Sequence, residues 1–316
     1  MNGLPMRRSG LTLLSILLSF GASGLGCEAD ARRPDVSAGA AREEAAAFRA
    51  KHEEDYRRDW STIAGLHVLQ PGPNTAGSAR SNDIVLTRSA PPVVGRFVLE
   101  GSDVRFEPDG AAGVPVLLRE QPVTAPRVLA NDVAPQPDTL SVGSIRMVVH
   151  VSGDRRTLRV WDPEGELAKG FLGFRWFDIQ PEYRVIGRFI ADAEPRTVRV
   201  ANTFGDLDAF RTEGVVQFRL QGQTLRLRAF TTRPNRLYFV FKDASSGQET
   251  YGAARFLYSD LRPDGSTVLD FNQAYNPPCA FNPYTTCPIP LRENALPVKV
   301  LAGERAYPVH PSLGSR

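Results

Sequence analysis

Residues 214–230 have the sequence GVVQFRLQGQTLRLRAF, in which apolar side chains alternate with glutamine, threonine and arginine. A period of two is typical of a β-strand with one buried face, because successive side chains of a strand point to opposite sides of the sheet. Gln221 and Gly222 interrupt the alternation and suit a two-residue hairpin turn. The segment therefore predicts two antiparallel strands joined by a tight turn.

The same alternation continues on both sides of this hairpin, and a second turn is expected at Asp264 and Gly265. From Trp60 to about Val151, shorter apolar runs are separated by Gly, Pro, Asn and Asp, which is typical of a small all-β domain. Residues 41–60 consist mainly of strong helix formers. We therefore expect a mainly β protein, with two antiparallel β-sandwich or barrel domains preceded by one N-terminal helix.

The first residues have the organisation of a secretory signal. Arg7 and Arg8 supply positive charge, residues 11–20 form a mainly apolar run, and small residues follow up to Gly26. The apolar run is shorter than the ~20 residues of a membrane-spanning helix. Cys27 follows directly, as in bacterial lipoprotein signals, where the cysteine becomes the lipidated first residue. We expect an exported, membrane-anchored lipoprotein of the bacterial cell envelope, facing the periplasm or the exterior; ordinary signal cleavage and an uncleaved anchor are the alternatives.

The length and the charge of the chain limit which functions are possible. The chain has 316 residues, 42% of them hydrophobic, which allows two domains that each bury a core. Its 38 Lys and Arg residues nearly balance 35 Asp and Glu residues, and the basic residues do not form a run. The sequence therefore predicts no nucleic-acid partner.

Residues 69–86 have the sequence LQPGPNTAGSARSNDIVL. A glycine turn, a polar loop and a strand follow one another there, which resembles the opening of forkhead-associated domains. Members of that family that bind phosphothreonine carry an arginine directly after the glycine and a Ser-x-x-His in the next loop. Here Ser78 follows Gly77, and residues 89–92 contain no histidine. The resemblance implies a β-sandwich with a structural or docking role that lacks the phosphothreonine-binding residues.

Three segments of the second half resemble the DUF1684 family of bacterial proteins: FRWF (174–177), FKDASSGQETYGAARFLY (241–258) and DFNQAYNPPCAFNPYTTCPIP (270–290). The resemblance runs roughly from residue 43 to residue 306. Asp178 and Gln180 depart from it, since the family more often has proline and aspartate there. Because the function of that family is unknown, the resemblance implies an architecture and a motif set without an activity.

These patterns divide the chain into seven parts. They are a signal peptide (1–26), a disordered tether (27–40), a helix (41–60), a forkhead-associated-like β-sandwich domain (61–154), a connector (155–174), a second β-domain (175–308) that contains a proline-rich loop (residues 270–290), and a tail (309–316).

The proline-rich loop contains Cys279 and Cys287. Outside the cytoplasm thiols tend to be oxidised, and with Cys27 lipidated these two remain to form a disulfide. Such a bond would contribute about 2 to 3 kcal/mol if unstrained. A catalytic thiolate would need a histidine or a positive field to lower its pKa, and no histidine lies between His150 and His310. A disulfide is therefore the prediction, with packed thiols or a nucleophile as alternatives.

Polar side chains are concentrated between residues 243 and 276. If the strand that contains Arg255 pairs with residues 267–271, then Arg255 and Asp270 lie opposite one another. The sequence predicts a cup for a small polar or anionic ligand. A structural ion pair that holds the proline-rich loop would account for the same residues. The predicted ligand-binding residues are Arg255, Tyr258, Asp270, Asn272, Tyr275 and Glu249.

Two further functions stay open at this point. Glu249 and Asp270 are the acids nearest the aromatic residues and would serve a hydrolase as general acid and base. The third interpretation is a structural or docking module that binds another envelope protein. Whether the protein is an enzyme is undecided. The sequence contains no Gly-x-Ser-x-Gly elbow, phosphate loop, dinucleotide motif or zinc ligand set, so no cofactor and no metal are predicted.

Overall fold

The computed structural model describes residues 36–110 and 113–307. The predicted signal peptide, Cys27, most of the tether and the tail lie outside the described residues. Helix α1 (Ala38–Asp59) begins after Ser37, whose hydroxyl accepts a hydrogen bond from the amide of Ala40. It therefore starts three residues before the predicted helix, within the predicted tether. None of the helices in these two ranges is long and apolar enough to cross a membrane.

Within the described residues, eleven strands after α1 form the first β-domain, in two sheets. One sheet has the order β1-β11-β10-β9-β6-β7 and the other β3-β2-β4-β5-β8. All pairings are antiparallel except that of β2 with β3. The strands are β1 (Ile63–Val68), β2 (Gly72–Gly77), β3 (Ile84–Val85), β4 (Gly95–Glu100), β5 (Asp103–Pro108), β6 (Leu117–Leu118), β7 (Gln121–Pro122), β8 (Arg127–Leu129), β9 (Leu140–Val142), β10 (Ile145–Ser152) and β11 (Arg155–Trp161).

The predicted connector (155–174) is corrected at its start. Gly153 adopts a left-handed φ of 60° and turns the chain back, so that β11 pairs with β10 on one side and β1 on the other. Leu158 and Val160 of β11 lie in the core between the two sheets. The connector begins after Trp161 and contains the short helix α2 (Glu166–Gly170).

In the part of the chain that the structure describes, six strands form the second β-domain, in the order β16-β15-β14-β13-β12-β17. The predicted turn at Gln221 and Gly222 joins β13 to β14, with Leu220 opposite Gln223. The longest strand, β12, is continuous, although its register shifts between Ala191 and Arg196 as in a β-bulge. The strands are β12 (Arg184–Ala201), β13 (Leu207–Leu220), β14 (Gln223–Arg233), β15 (Arg236–Phe241), β16 (Arg255–Asp260) and β17 (Ser266–Asp270).

The two outer strands of this sheet, β16 and β17, are joined by the predicted turn at Asp264 and Gly265. Thr267 donates its hydroxyl proton to the carbonyl oxygen of Asp260 at 2.9 Å, and a single bridge links Leu261 to Thr267. The sheet thus closes almost completely into a barrel. Its interior is filled in part by a later segment, because residues 296–302 contribute apolar side chains to the barrel core. The predicted mainly β fold with one N-terminal helix is confirmed.

The proline-rich loop is held on both sides. It contains two short 3₁₀ turns, Phe271–Gln273 and Pro278–Ala280. Asn282 donates its side-chain amide to the carbonyl oxygen of Ile63 in β1 at 2.7 Å, while Tyr275 and Phe256 exchange backbone hydrogen bonds. The loop therefore fastens the first β-domain to the barrel.

Candidate functional site

Arg255 does not lie in a cup. Its side chain has no exposed surface; it donates to Asp243 at 2.8 Å and to the carbonyl oxygen of Val300 at 2.9 Å. A third bond goes to the carbonyl oxygen of Ala302. Burial lowers the pKa of Arg255 below its usual value, and Asp243 opposes this shift. Arg255 thus ties β16 to the segment inside the barrel, and the predicted opposition of Arg255 and Asp270 is wrong because β17 pairs with β12 instead.

Asp270 has a different basic partner. Its Oδ2 accepts a hydrogen bond from Arg184 Nη1 at 2.9 Å, across the β12–β17 pair. Its Oδ1 accepts bonds from the backbone amide and the side-chain amide of Asn272. Asp270 therefore caps the first turn of the proline-rich loop and holds Nη1 of Arg184 in place.

Asn272 is almost completely buried and binds protein groups on several sides. Its side-chain oxygen accepts from the amide of Gln180 and its side-chain nitrogen donates to the carbonyl of Gln180, both at 2.9 Å. The carbonyl oxygen of Asn272 accepts two bonds from Arg49 of α1. These contacts place Asn272 as a structural residue that fastens α1 to the loop.

Tyr275 and Glu249 lie elsewhere. The ring of Tyr275 packs against His52 of α1, with 4.4 Å between the ring centroids, and burial raises its pKa well above the usual value. Glu249 accepts a hydrogen bond from Lys299 at 2.6 Å. Neither residue shares a described cavity with Asp270. Glu249, the second carboxylate proposed for hydrolysis, is therefore not among the residues that line the cavity of Asp270.

Two predicted residues, Tyr258 and Asp270, do line a common space. It is a cavity of about 340 Å³ between α1 and the β16–β17 hairpin, called the polar cavity below. Its remaining lining comes from α1, from the first residues of β12 and β15, from the hairpin itself and from the turn that follows β17. The lining residues are Glu44, Phe48, Arg184, Arg236, Leu257, Tyr258, Ser259, Asp260, Arg262, Val268, Asp270 and Gln273.

Stacked rings hold one of the cationic groups of the polar cavity. Tyr258 stacks on Tyr238 with 4.6 Å between ring centroids and planes 18° apart. The guanidinium of Arg236 lies over Tyr258, 5.1 Å from the ring centroid, as in a cation–π contact. Burial raises the pKa of Tyr258, so its hydroxyl stays protonated as a donor. The polar cavity thus presents a phenol and a guanidinium side by side.

Each of two arginines in the polar cavity pairs with a solvent-exposed acid. Arg236 binds Asp260, whose side chain is 74% exposed, at 2.8 Å. Arg184 binds the buried Asp270 through Nη1, and through Nη2 it binds Glu44, whose side chain is 49% exposed, at 2.9 Å. An exposed ion pair such as Arg236–Asp260 contributes only about 0 to 1 kcal/mol. The Arg184–Glu44 pair is exposed on the glutamate side only, because the side chain of Arg184 is 9% exposed.

Sequence reasoning missed the arginines of the polar cavity. A signal was available, because Arg184 and Arg236 are the first residues of β12 and β15, and each lies directly opposite an aspartate that ends a neighbouring strand. This signal identifies the ion pairs only when the order of the strands in the sheet is known. Glu44 and Phe48 carry no such signal, since only the docking of α1 brings them to the barrel.

Cys279 and Cys287 are buried thiols that touch each other in a small core cluster. The amide of Cys279 lies 3.3 Å from the sulfur of Cys287. The hydrogen bond between the thiols lowers the pKa of Cys279, whereas burial raises the pKa of Cys287. In the two described ranges, no three His, Cys, Asp or Glu side chains come together as a metal site.

The barrel and its loop carry the family match. Residues 169–305 match the family model described as "Protein of unknown function (DUF1684)". The chain belongs to the DUF1684 family through this segment. The match is narrower than the resemblance expected over residues 43–306, because it leaves out α1 and the first β-domain.

Solved structures give three further similarities. An uncharacterized protein of Haloarcula marismortui, known from solution NMR, is 30% identical; the match covers 46% of this chain and 82% of that chain, with a TM-score of 0.37. A forkhead-associated domain with phosphothreonine-dependent interactions is 13% identical, covering 30% and 92%, with a TM-score of 0.21. Mycobacterium tuberculosis EmbR in complex with a low-affinity phosphopeptide is 16% identical, covering 40% and 32%, also at 0.21. No curated protein matches the chain.

Proposed function

We propose that this DUF1684 protein binds a small polar ligand with an anionic group in the polar cavity of its second β-domain. The observation that carries the proposal is the pairing of Arg184 and Arg236 with exposed, replaceable acids at the edge of one cavity. A carboxylate or phosphate on a ligand binds a guanidinium through two parallel hydrogen bonds. Such a group would replace Asp260 and Glu44 as the partner of the two arginines.

Tyr258 would complete the recognition. Its hydroxyl makes no hydrogen bond within the described residues, while its ring is fixed between Tyr238 and Arg236. A phenol held in this way offers one donor without further loss of side-chain freedom on binding. The volume of about 340 Å³ suits a ligand the size of a small sugar acid or a dicarboxylate.

We further propose the setting in which the ligand is met. The signal-like residues 1–26 and Cys27 favour an exported, lipid-anchored protein of the cell envelope. In an oxidising compartment the adjacent Cys279 and Cys287 would form a disulfide that closes the proline-rich loop. The ligand would then be an envelope metabolite rather than a cytoplasmic one.

A thermal-shift screen of the full chain tests the proposal. The panel contains small carboxylates and phosphates, each with a neutral amide or alcohol analogue. A ligand present at 100 times its Kd raises the free energy of unfolding by about 2.7 kcal/mol. Stabilisation by an anionic compound, but not by its neutral analogue, is expected; the absence of any stabilising anion in a well-folded sample contradicts the proposal.

Variants locate the binding. Arg236→Met is expected to abolish most of the stabilisation, and Tyr258→Phe to reduce it. Arg211→Met is the matched control, because Arg211 also pairs with a neighbouring acid, Glu213, at 2.8 Å but lies outside the polar cavity. Equal stabilisation in Arg236→Met and Arg211→Met would place the ligand elsewhere.

A further inference from the structure

Three arginines lie side by side on the outside of the barrel. Arg188 of β12 is opposite Gln217 of β13, which is opposite Arg226 of β14. Arg219 lies two residues beyond Gln217 on the same side of β13, about 7 Å along the strand. All three arginines are exposed, whereas the side chains that alternate with them, such as Phe218, fill the barrel core. We call these three arginines the basic face.

The guanidiniums of the basic face form no ion pair within the described residues. Arg226 donates to a neutral group, the side-chain oxygen of Gln217, at 2.9 Å. In contrast, the exposed Arg211, which is also on β13, pairs with Glu213 at 2.8 Å. Like charges beside one another destabilise a sheet. The basic face therefore carries positive charge that is left for a partner anion.

An exposed apolar side chain adjoins the basic face. Ile190 lies two residues after Arg188 on the same side of β12 and is 40% exposed. The acids beyond it, Asp192 and Glu293, both bind Arg228 and are balanced by it. Binding to an anionic bilayer depends on basic side chains that attract lipid phosphates and on apolar groups that enter the head-group layer. The basic face and Ile190 offer both.

The basic face lies close to the start of α1. Arg184, on the same side of β12 as Arg188, binds Glu44 in the second turn of α1 at 2.9 Å. From Ala38 the chain leads back to Cys27, and these eleven residues span at most about 40 Å when fully extended. A lipid on Cys27, as proposed above, would therefore keep the basic face within reach of the bilayer.

We propose that the basic face docks on a bilayer surface that contains anionic phospholipid, with the guanidiniums on lipid phosphates and Ile190 in the head-group layer. Arginine binds phosphate oxygens through two parallel hydrogen bonds. The proposal rests on the envelope setting proposed above and not on a ligand in the polar cavity, whose lining contains none of the three arginines. Docking by this face fixes the orientation of the barrel on the membrane.

Vesicle binding of residues 34–316 tests the proposal. This part of the chain forms one compact unit and contains every described helix and strand, but neither the signal-like segment nor Cys27. Cosedimentation at low salt is expected to be at least roughly tenfold greater with vesicles of about 30% phosphatidylglycerol in phosphatidylcholine than with phosphatidylcholine alone. It should be lost in 1 M salt, where the Debye length is about 3 Å. Equal binding to both kinds of vesicle, or binding to neither, overturns the proposal.

Two triple variants separate the basic face from net charge. The first combines Arg188→Gln, Arg219→Gln and Arg226→Gln. The control removes the same charge from exposed arginines that pair with acids, by Arg58→Gln, Arg96→Gln and Arg211→Gln. The first variant is expected to bind anionic vesicles no better than neutral ones, and the control to bind like the parent. Equal loss in both folded variants overturns the assignment to the basic face.

Soluble polyphosphate represents the other occupant of such a surface. If the parent binds polyphosphate through the basic face but does not bind anionic vesicles, the partner is a soluble polyanion and the membrane contact is overturned. The triple variant of the basic face keeps the polar cavity intact, so small anions should stabilise it as they stabilise the parent. Failure of the vesicle test is thus distinguished from failure of the ligand proposal.

Discussion

Arg255 and Asp243 form an ion pair at 2.8 Å in which neither side chain has any exposed surface. The pair joins β16 to the loop after β15, and the bonds from Arg255 to the carbonyl oxygens of Val300 and Ala302 extend it to the segment inside the barrel. The effect of a buried ion pair on stability is seen mainly when one partner is removed, because the remaining charge is then buried without a partner and without water. Arg255 is therefore a structural residue of the family segment.

Replacement of this arginine has a large predicted effect on stability. Arg255→Met should lower the free energy of unfolding by about 3 to 5 kcal/mol, because Asp243 would remain buried without its partner. Urea denaturation followed by circular dichroism measures the change. Arg211→Met, at an exposed ion pair, should change it by less than about 1 kcal/mol. A nearly neutral Arg255→Met would show that the pair does not hold the barrel.

His52 makes the stability depend on pH. It packs between aromatic rings, burial lowers its pKa from the usual 6.5 to about 4, and its Nε2 makes no hydrogen bond in the described part of the chain. Between pH 6.5 and 4 the unfolded chain binds a proton that the folded chain refuses. Stability is therefore fully present above pH 6.5 and is lost as the pH falls towards 4, by about 3 kcal/mol.

The variant His52→Phe isolates this effect. It keeps the aromatic packing and removes the titration. The free energy of unfolding of the variant should therefore rise relative to that of the parent as the pH falls from 7 to 4. Chemical denaturation at several pH values supplies the difference. A difference that is constant over this range would contradict the placement of a neutral His52 among the rings.

Glu304 has the opposite dependence. Its side chain is fully buried, burial raises its pKa well above 4.5, and it accepts hydrogen bonds from the amide and side chain of Asn276. The folded chain holds a proton that the unfolded chain releases, so this contribution is present below pH 4.5 and is lost as the pH rises through the raised pKa. Glu304→Gln should remove that loss. Denaturation between pH 5 and 8 tests it, and an unchanged slope would contradict the prediction.

Arg49 is predicted to fasten α1. It donates to the carbonyl oxygens of Asn272 and Phe177 and lies over the ring of Trp176. Because Arg49→Met leaves these carbonyls without a donor, it should cost about 1 to 3 kcal/mol and speed hydrogen exchange of the α1 amides. Arg58→Met, whose side chain is 59% exposed on the same helix, is the control. Equal exchange in both variants would show that other contacts dock α1.

The fold could be predicted in large part because its signal is local. Alternation in residues 214–230 reflects burial of one strand face, and Gln221 and Gly222 fix the turn within four residues. The connector was misplaced because β11 alternates less clearly and its partners, β1 and β10, are identified only by the sheet order. Register and strand order depend on contacts between distant segments, which periodicity does not encode.

The site could be predicted only in part for the same reason. Tyr258 and Asp270 were found because they lie on the two strands of one hairpin, β16 and β17. The partners of Arg255 were missed because both contacts depend on the closed barrel. Asp243 lies in the loop after β15, and Val300 reaches Arg255 through the interior of the barrel. Glu44 comes from α1, and no local pattern connects it with Arg184.

Titration calorimetry of the best anionic compound from the screen tests the central claim most directly, with the parent protein, Arg236→Met and Arg211→Met measured side by side. The account predicts one ligand per chain, affinity roughly tenfold or more weaker in Arg236→Met, and unchanged affinity in Arg211→Met. Equal affinity in all three folded proteins would contradict the assignment of the polar cavity as the binding site.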